Sequence, residues 1–192
     1  MVVVAVSGPH GAGKTTVAKF LAKKLGLRYI SAGEIFRKMA AEKGMSLEDF
    51  SKYAERNKEI DEEIDRRTIE EAKKGNVLVD ARLAGWLVEN ADLKILLTAP
   101  LETRVKRIAE REGRLYKDVL RETVKREKSE EKRFKKFYGI DLSDYSPYDI
   151  VLNTEKISIE KMKEIIWTVT RAILFGRKVN DGNRKGLREN RG

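Results

Sequence analysis

The sequence predicts an α/β protein, with five parallel strands in one sheet and helices on both faces. Three observations point there. Val2 to Val6 is a continuous apolar run rather than an alternating one, which suits a strand buried on both faces. Further short apolar runs recur at Leu27 to Ser31, Val77 to Asp80, Leu93 to Thr98 and Ile150 to Asn153. The segments between them carry apolar residues at helical spacing, and strands alternating with helices imply right-handed crossovers in a doubly wound sheet.

The first strand leads into a Gly-rich turn. Val17, Leu21 and Leu25 then recur every four residues with Ala18 and Ala22 beside them, which predicts a helix from about Thr15 to Leu25, stopped by Gly26. After the second strand, Ile35, Phe36, Met39 and Ala40 mark one face of a helix that ends at Gly44. Ser46 reads as the N-cap of a helix bearing Leu47, Phe50 and Ala54. A highly charged helix with Ile60, Ile64 and Ala72 runs on to Gly75, so residues 44–75 form a helical excursion from the sheet. Pro100 starts a helix containing Val105 and Ile108. Ser158 caps a last one whose buried stripe is Ile159, Met162, Ile166, Val169 and Ile173. Past Gly176 apolar residues nearly vanish, and residues 176–192 are expected to be a flexible basic tail on a single domain of residues 1–175.

Composition limits the chemistry. The 192 residues contain no Cys and one His, which excludes disulfides, thiolate nucleophiles and multi-histidine metal centres. Catalysis falls to Lys, Arg, Asp, Glu and the backbone. Five apolar residues at Val2 to Val6 are too few for a leader, and no apolar run approaches the roughly 18 needed to span a bilayer. A soluble, cytoplasmic monomer is expected. Charged residues make up 38% of the chain, a composition like that of proteins from very hot environments. The net charge is +10, and its excess is localised: Arg104 to Lys136 holds 14 Lys and Arg against 7 Asp and Glu, and residues 176–192 hold 6 against 2. Such segments attract anionic nucleotides or nucleic acid, or simply face solvent.

Gly8, Pro9, His10, Gly11, Ala12, Gly13, Lys14 and Thr15 match G-x-x-x-x-G-K-[ST] between the first strand and first helix, with Thr16 next to them. Glycines let the loop turn its N–H groups inward around phosphate, where a Cβ would obstruct it. The helix N-terminus adds unpaired N–H groups and partial positive charge. Lys14 reaches the β- and γ-phosphates of ATP, and the Thr15 hydroxyl ligates Mg²⁺. His10 is read as a loop residue facing solvent, with contact to the nucleotide or metal as the alternative.

At Ser31-Ala32-Gly33-Glu34-Ile35-Phe36-Arg37 and Asp80-Ala81-Arg82-Leu83-Ala84-Gly85-Trp86 the sequence resembles nucleoside monophosphate kinases, and most closely the archaeal type of cytidylate kinase. Arg126, Glu127, Glu130 and Arg133, followed by Tyr138-Gly139-Ile140-Asp141 and Tyr148-Asp149, complete the likeness, which runs from residue 1 to about 175. The resemblance implies a P-loop kinase fold with a monophosphate-binding region at about 44–75 and a helical lid at about 107–137. It implies transfer of the γ-phosphoryl group of ATP to CMP, and to dCMP as well. Arg37 and Arg82 would hold the acceptor phosphate, Ser31 would contact the cytosine base with Gly33 also binding substrate, and Glu130 would sit near the sugar. Asp80 would lie by Mg²⁺, and Arg126 and Arg133, distant in the open state, would close from the lid. Ala81 replaces the glycine usual before Arg82, and the large insert of bacterial cytidylate kinases is absent.

The residues by themselves agree with phosphoryl transfer. Donor and acceptor phosphates repel, and joining them needs several cations, for which planar bidentate arginines are suited. AMP, UMP, shikimate or another hydroxyl-bearing metabolite remain alternative acceptors, a hydroxyl needing a carboxylate base such as Asp80. A nucleic-acid-binding NTPase would need interleaved aromatics for stacking, and the basic run offers only Tyr116 and Phe134, with Phe137 and Tyr138 just beyond.

Overall fold

A computed structural model describes residues 1–185, with side chains described through Gly176. Strands β1 (Val3–Ser7), β2 (Arg28–Ser31), β3 (Val77–Asp80), β4 (Leu93–Thr98) and β5 (Ile150–Asn153) form one parallel sheet in the order β2-β3-β1-β4-β5. The central strand β1 is buried along its whole length, as its unbroken apolar run requires. Val4, Val6, Leu78, Ile95 and Leu97 pack on one face of the sheet against Val17, Leu21, Met162 and Ile166. Val3, Ala5, Val77 and Val79 pack on the other with Ala72 and Ala84. Helix α1 (Lys14–Leu25) and helix α8 (Ile159–Lys185) therefore cover one face, while α4 (Lys58–Lys73) and α5 (Ala84–Leu87) cover the other.

The helical excursion comprises α2 (Ala32–Glu42), α3 (Leu47–Ala54) and α4, which enclose a second core of Phe36, Ala40, Phe50, Ala54, Ile60 and Ile64. Ser31 and Ser46 cap α2 and α3 by accepting from the Glu34 and Asp49 amides. Helices α6 (Leu101–Glu112) and α7 (Tyr116–Tyr138) close on a third core of Val105, Ile108, Ala109 and Val119.

Three sequence expectations change. The basic run read as one helical segment is two helices, because Gly113 at φ 62° ends α6 and turns the chain back. Ile159, placed in the buried stripe of α8, is 55% exposed, and Thr170 is buried instead. The tail expected from residue 176 begins inside α8, since Gly176 stays helical and the backbone continues to Lys185; residues 186–192 lie outside the described residues. Short helix α5 had no sequence signal strong enough to read.

Candidate active site

In-register pairing sets Ser31 beside Asp80 and Val6 beside Asp80, so the carboxyl ends of β1, β2 and β3 form one rim. The loop after β1, Gly8 to Thr15, turns above that rim. Gly8 has φ 143°, and a Cβ there would sit 2.1 Å from the Leu97 carbonyl oxygen; one on Gly11 would meet the Arg104 backbone at 2.6 Å. Only glycine permits this close approach to β4 and α6. The loop is also braced from behind. Arg104, counted in sequence as part of a basic surface, is 6% exposed; it donates to the carbonyls of His10 and Ala99, both at 2.9 Å, and pairs with Glu127 of α7. Thr154 donates to the Ala12 carbonyl at 3.0 Å and accepts from Arg107.

Inside the loop, Lys14 Nζ donates to the Pro9 carbonyl at 2.9 Å. Burial lowers its pKa to about 8; Arg82 and Arg126 act in the same sense, while Asp80 and Glu130 oppose it. Thr15 Oγ1 donates to Asp80 Oδ2 at 2.8 Å, and the Tyr29 phenol donates to the same oxygen at 2.9 Å. A hydroxyl and a carboxylate oxygen are thus adjacent where a phosphate-borne cation would need hard oxygen ligands. Burial and Asp80 together push the Tyr29 phenol well up from its ordinary value.

A cavity of about 930 Å³ opens from this loop. His10, Gly11, Gly13, Lys14, Thr15 and Thr16 line its loop end, and Ser31, Gly33, Arg37, Asp80, Arg82, Arg126, Glu130 and Arg133 line the remainder, so most of the residues singled out in sequence converge. Gly8, Pro9 and Ala12 shape the loop without lining the cavity, Ala12 being fully buried. Arg37 and Arg82 follow the ends of β2 and β3, as their sequence positions imply.

His10 differs from its sequence reading, while Glu130, expected near the sugar, lies in the cavity wall. Glu130 is 6% exposed. Its carboxylate lies 2.8 Å from His10 Nε2, 3.3 Å from Arg126 Nε and 3.7 Å from Arg82 Nε. Burial alone would raise its pKa, but His10, Arg126 and Arg82 outweigh that and hold it far below the usual carboxylate range. His10 does not face solvent. Burial lowers its pKa against the pull of Glu130, so the neutral ring donates Nε2–H to the carboxylate.

Arg133 is a correction as well. It is 3% exposed and fixed between helices, with Nε donating to Asp61 Oδ2 at 2.8 Å and Nη1 to Ser129 Oγ at 2.9 Å and the Ser51 carbonyl at 3.3 Å. A buried guanidinium needs a counter-ion, and α4 supplies it, so Arg133 is seated in the cavity wall rather than waiting on a remote lid. Helix α7 is further held to α3 by Lys125 on Glu48 and Lys132 on Glu55, both at 2.9 Å.

Sequence reasoning missed Asp61, Asp65 and Arg104, and named Glu127 without a role. Each sits in a helix dense with Lys and Glu, where a buried charge is indistinguishable from a surface one. Of the aromatics weighed for nucleic-acid stacking, Phe134 is buried and Phe137 and Tyr138 are half-buried, leaving Tyr116 alone at 42% exposure. That is too little for a stacking track. No helix among the described residues is long and apolar enough to cross a membrane.

A phosphate loop whose lysine shares one cavity with Arg37, Arg82 and Arg126 has the charge to hold two anions together, and the protein is by class a P-loop kinase. The model of the cytidylate kinase-like family matches residues 3–156. The chain is 51% identical to the cytidylate kinase of Pyrococcus horikoshii, over 85% of each chain. It is 52% identical to that of Staphylothermus marinus, over 86% of this chain and 94% of the relative. Among solved structures, a shikimate kinase from Bacteroides thetaiotaomicron shares the fold with a TM-score of 0.57 at 15% identity, covering 88% of this chain and 98% of its own. This chain belongs to the cytidylate kinase-like family.

Proposed function

We propose that the enzyme transfers the γ-phosphoryl group of ATP to CMP, and to dCMP, giving CDP or dCDP and ADP. The observation that carries this is the convergence of Lys14, Thr15 and Asp80 with Arg37, Arg82 and Arg126 on one cavity, in a chain half identical to cytidylate kinases. The backbone amides of Gly8 to Thr15 cradle the donor phosphates, and Lys14 neutralises charge on the phosphoryl in transit. Thr15 and Asp80 would hold Mg²⁺, which would supply charge neutralisation to the donor phosphates.

Arg37, Arg82 and Arg126 bind the acceptor phosphate. Its oxygen is already ionised near neutral pH, with a second pKa of about 6, so no general base is needed and Asp80 is free for the metal. Catalysis is then alignment, charge neutralisation and exclusion of water. Glu130 lies between Arg82 and Arg126, so a sugar hydroxyl reaching that carboxylate binds next to the acceptor phosphate.

The base lies among Phe36, Leu47, Ile64 and Phe134, with Ser31 and Gly33 at its sheet end. Arg133 Nε and Nη1 are taken up by Asp61, Ser129 and Ser51; Nη2 takes part in none of these bonds and is the donor for the pyrimidine O2. The role of Arg133 is thus base recognition, assisted by Arg126 at the phosphate. Product analysis with ATP-Mg²⁺ and each nucleoside monophosphate tests the proposal. CDP and dCDP should form fastest; AMP as best acceptor, or no CDP, would refute it.

A further inference from the structure

Asp80 receives two donors on one oxygen. Thr15 Oγ1 from α1 and the Tyr29 phenol from β2 both donate to Asp80 Oδ2, at 2.8 and 2.9 Å, and Oδ1 takes part in neither bond. The sheet register explains where the second donor comes from. Ser31 lies level with Asp80, but its hydroxyl accepts from the Glu34 amide as the cap of α2. Tyr29 lies level with Leu78, two residues lower, and its side chain climbs about 6.6 Å along the sheet to reach the carboxylate. The ring packs against the core on the α1 side, with Lys19 Nζ 5.3 Å from its centroid, so it is held by contacts that do not involve its hydroxyl.

We propose that Tyr29 is a positioning residue for phosphoryl transfer: its hydroxyl holds the Asp80 carboxylate so that Oδ2 is committed to Thr15 and Oδ1 is left for the cation carried by ATP. This deepens the reading of Thr15 and Asp80 as the metal site and rests on it. A carboxylate offers about four lone-pair sites, two on each oxygen, and Thr15 and Tyr29 take both sites on Oδ2. A hydroxyl that ligates a cation through its oxygen must send its proton elsewhere, and Oδ2 is where the Thr15 proton goes. With Thr15 as sole donor, the carboxylate is free to turn about its own bond and exchange its two oxygens. A second donor fixed on a separate strand removes that freedom before the cation arrives, so the ordering cost falls on folding and not on binding.

Tyr29→Phe keeps the ring and its packing and removes only the donor. Mg²⁺ is titrated, by calorimetry, onto enzyme saturated with the non-hydrolysable β,γ-imido analogue of ATP. It should bind about tenfold more weakly to the variant, the loss expected when a metal-binding carboxylate is deprived of its hydrogen-bond partner. Affinity for the analogue in the presence of a chelator should stay within about twofold of wild type. In steady-state kinetics the Mg²⁺ concentration giving half the maximal rate should rise about tenfold, while saturating Mg²⁺ restores most of kcat. In an Asp80→Asn background the Tyr29→Phe change should alter Mg²⁺ affinity by less than about twofold, because the hydroxyl acts only through that carboxylate.

Equal Mg²⁺ affinity in Tyr29→Phe and wild type overturns the assignment. So does a tenfold effect that persists in the Asp80→Asn background, or a loss of metal-free analogue binding as large as the loss of Mg²⁺ binding, which would mark a packing role. A wild-type complex that holds Mg²⁺ no more tightly than the free analogue does would instead sink the metal-site reading beneath it.

Discussion

His10 Nε2 lies 2.8 Å from Glu130 Oε1, so the phosphate loop and helix α7 are joined by a single hydrogen bond between side chains. His10 is the only histidine in the chain. Its pKa is lowered by burial from 6.5, so below that value the unfolded chain binds a proton that the folded one resists. Stability then falls as pH drops through 6.5, by at most about 1.4 kcal/mol per pH unit. His10→Gln should keep a donor toward Glu130 and lose this dependence. Thermal unfolding of both proteins at about pH 7.5 and about pH 5.5 checks it; parallel shifts would mean that His10 does not contribute. Glu130, depressed instead, contributes stability present above its unfolded value near 4.5 and lost as pH falls further toward its folded value.

Lys14 should govern both turnover and the pH dependence of ATP binding. Its replacement by Ala removes the cation aimed at the transferring phosphoryl and should lower kcat at least about a hundredfold with the fold intact. In the wild-type apoenzyme its pKa is about 8, and bound phosphates favour the charged form. ATP affinity should accordingly weaken above pH 8 by up to about tenfold per unit, with proton uptake on binding. Calorimetry in two buffers of different ionisation enthalpy measures that uptake. Equal heats at about pH 8.5 would contradict it.

Arg133 and Asp61 form a buried pair with side chains 3% and 7% exposed. Arg133→Ala leaves the Asp61 charge uncompensated and should cost about 3–5 kcal/mol of stability. Arg133→Met combined with Asp61→Leu should recover most of that loss while impairing CMP binding. Urea unfolding separates the cases, since a surface arginine would cost almost nothing in either background.

Gly8→Ala should prevent folding of the loop, because the added Cβ would lie 2.1 Å from the backbone oxygen of Leu97 at φ 143°. No rotation of a side chain relieves a clash with backbone. Circular dichroism melts and ATP binding of this variant should both fail, whereas Gly44→Ala, with nothing within 4 Å, should suffer only the strain of its φ of 63°.

The sheet, the phosphate loop and the helical excursion were determined by local patterns: a continuous apolar run for β1, the G-x-x-x-x-G-K-[ST] spacing, and the Ser46 and Gly75 boundaries. These signals are legible because period, caps and glycines act within a few residues of each other. Arg37 and Arg82 were legible for a related reason, as each follows a strand end where parallel sheets place ligands. Tertiary structure alone decided which of the many charges are buried. Glu130, Arg133, Arg104, Asp61 and Asp65 lie in helices whose Lys, Arg and Glu look alike in sequence; burial and pairing depend on partners 23 to 120 positions away. The fold selects from a uniformly charged surface the few ions that lose water and must find partners.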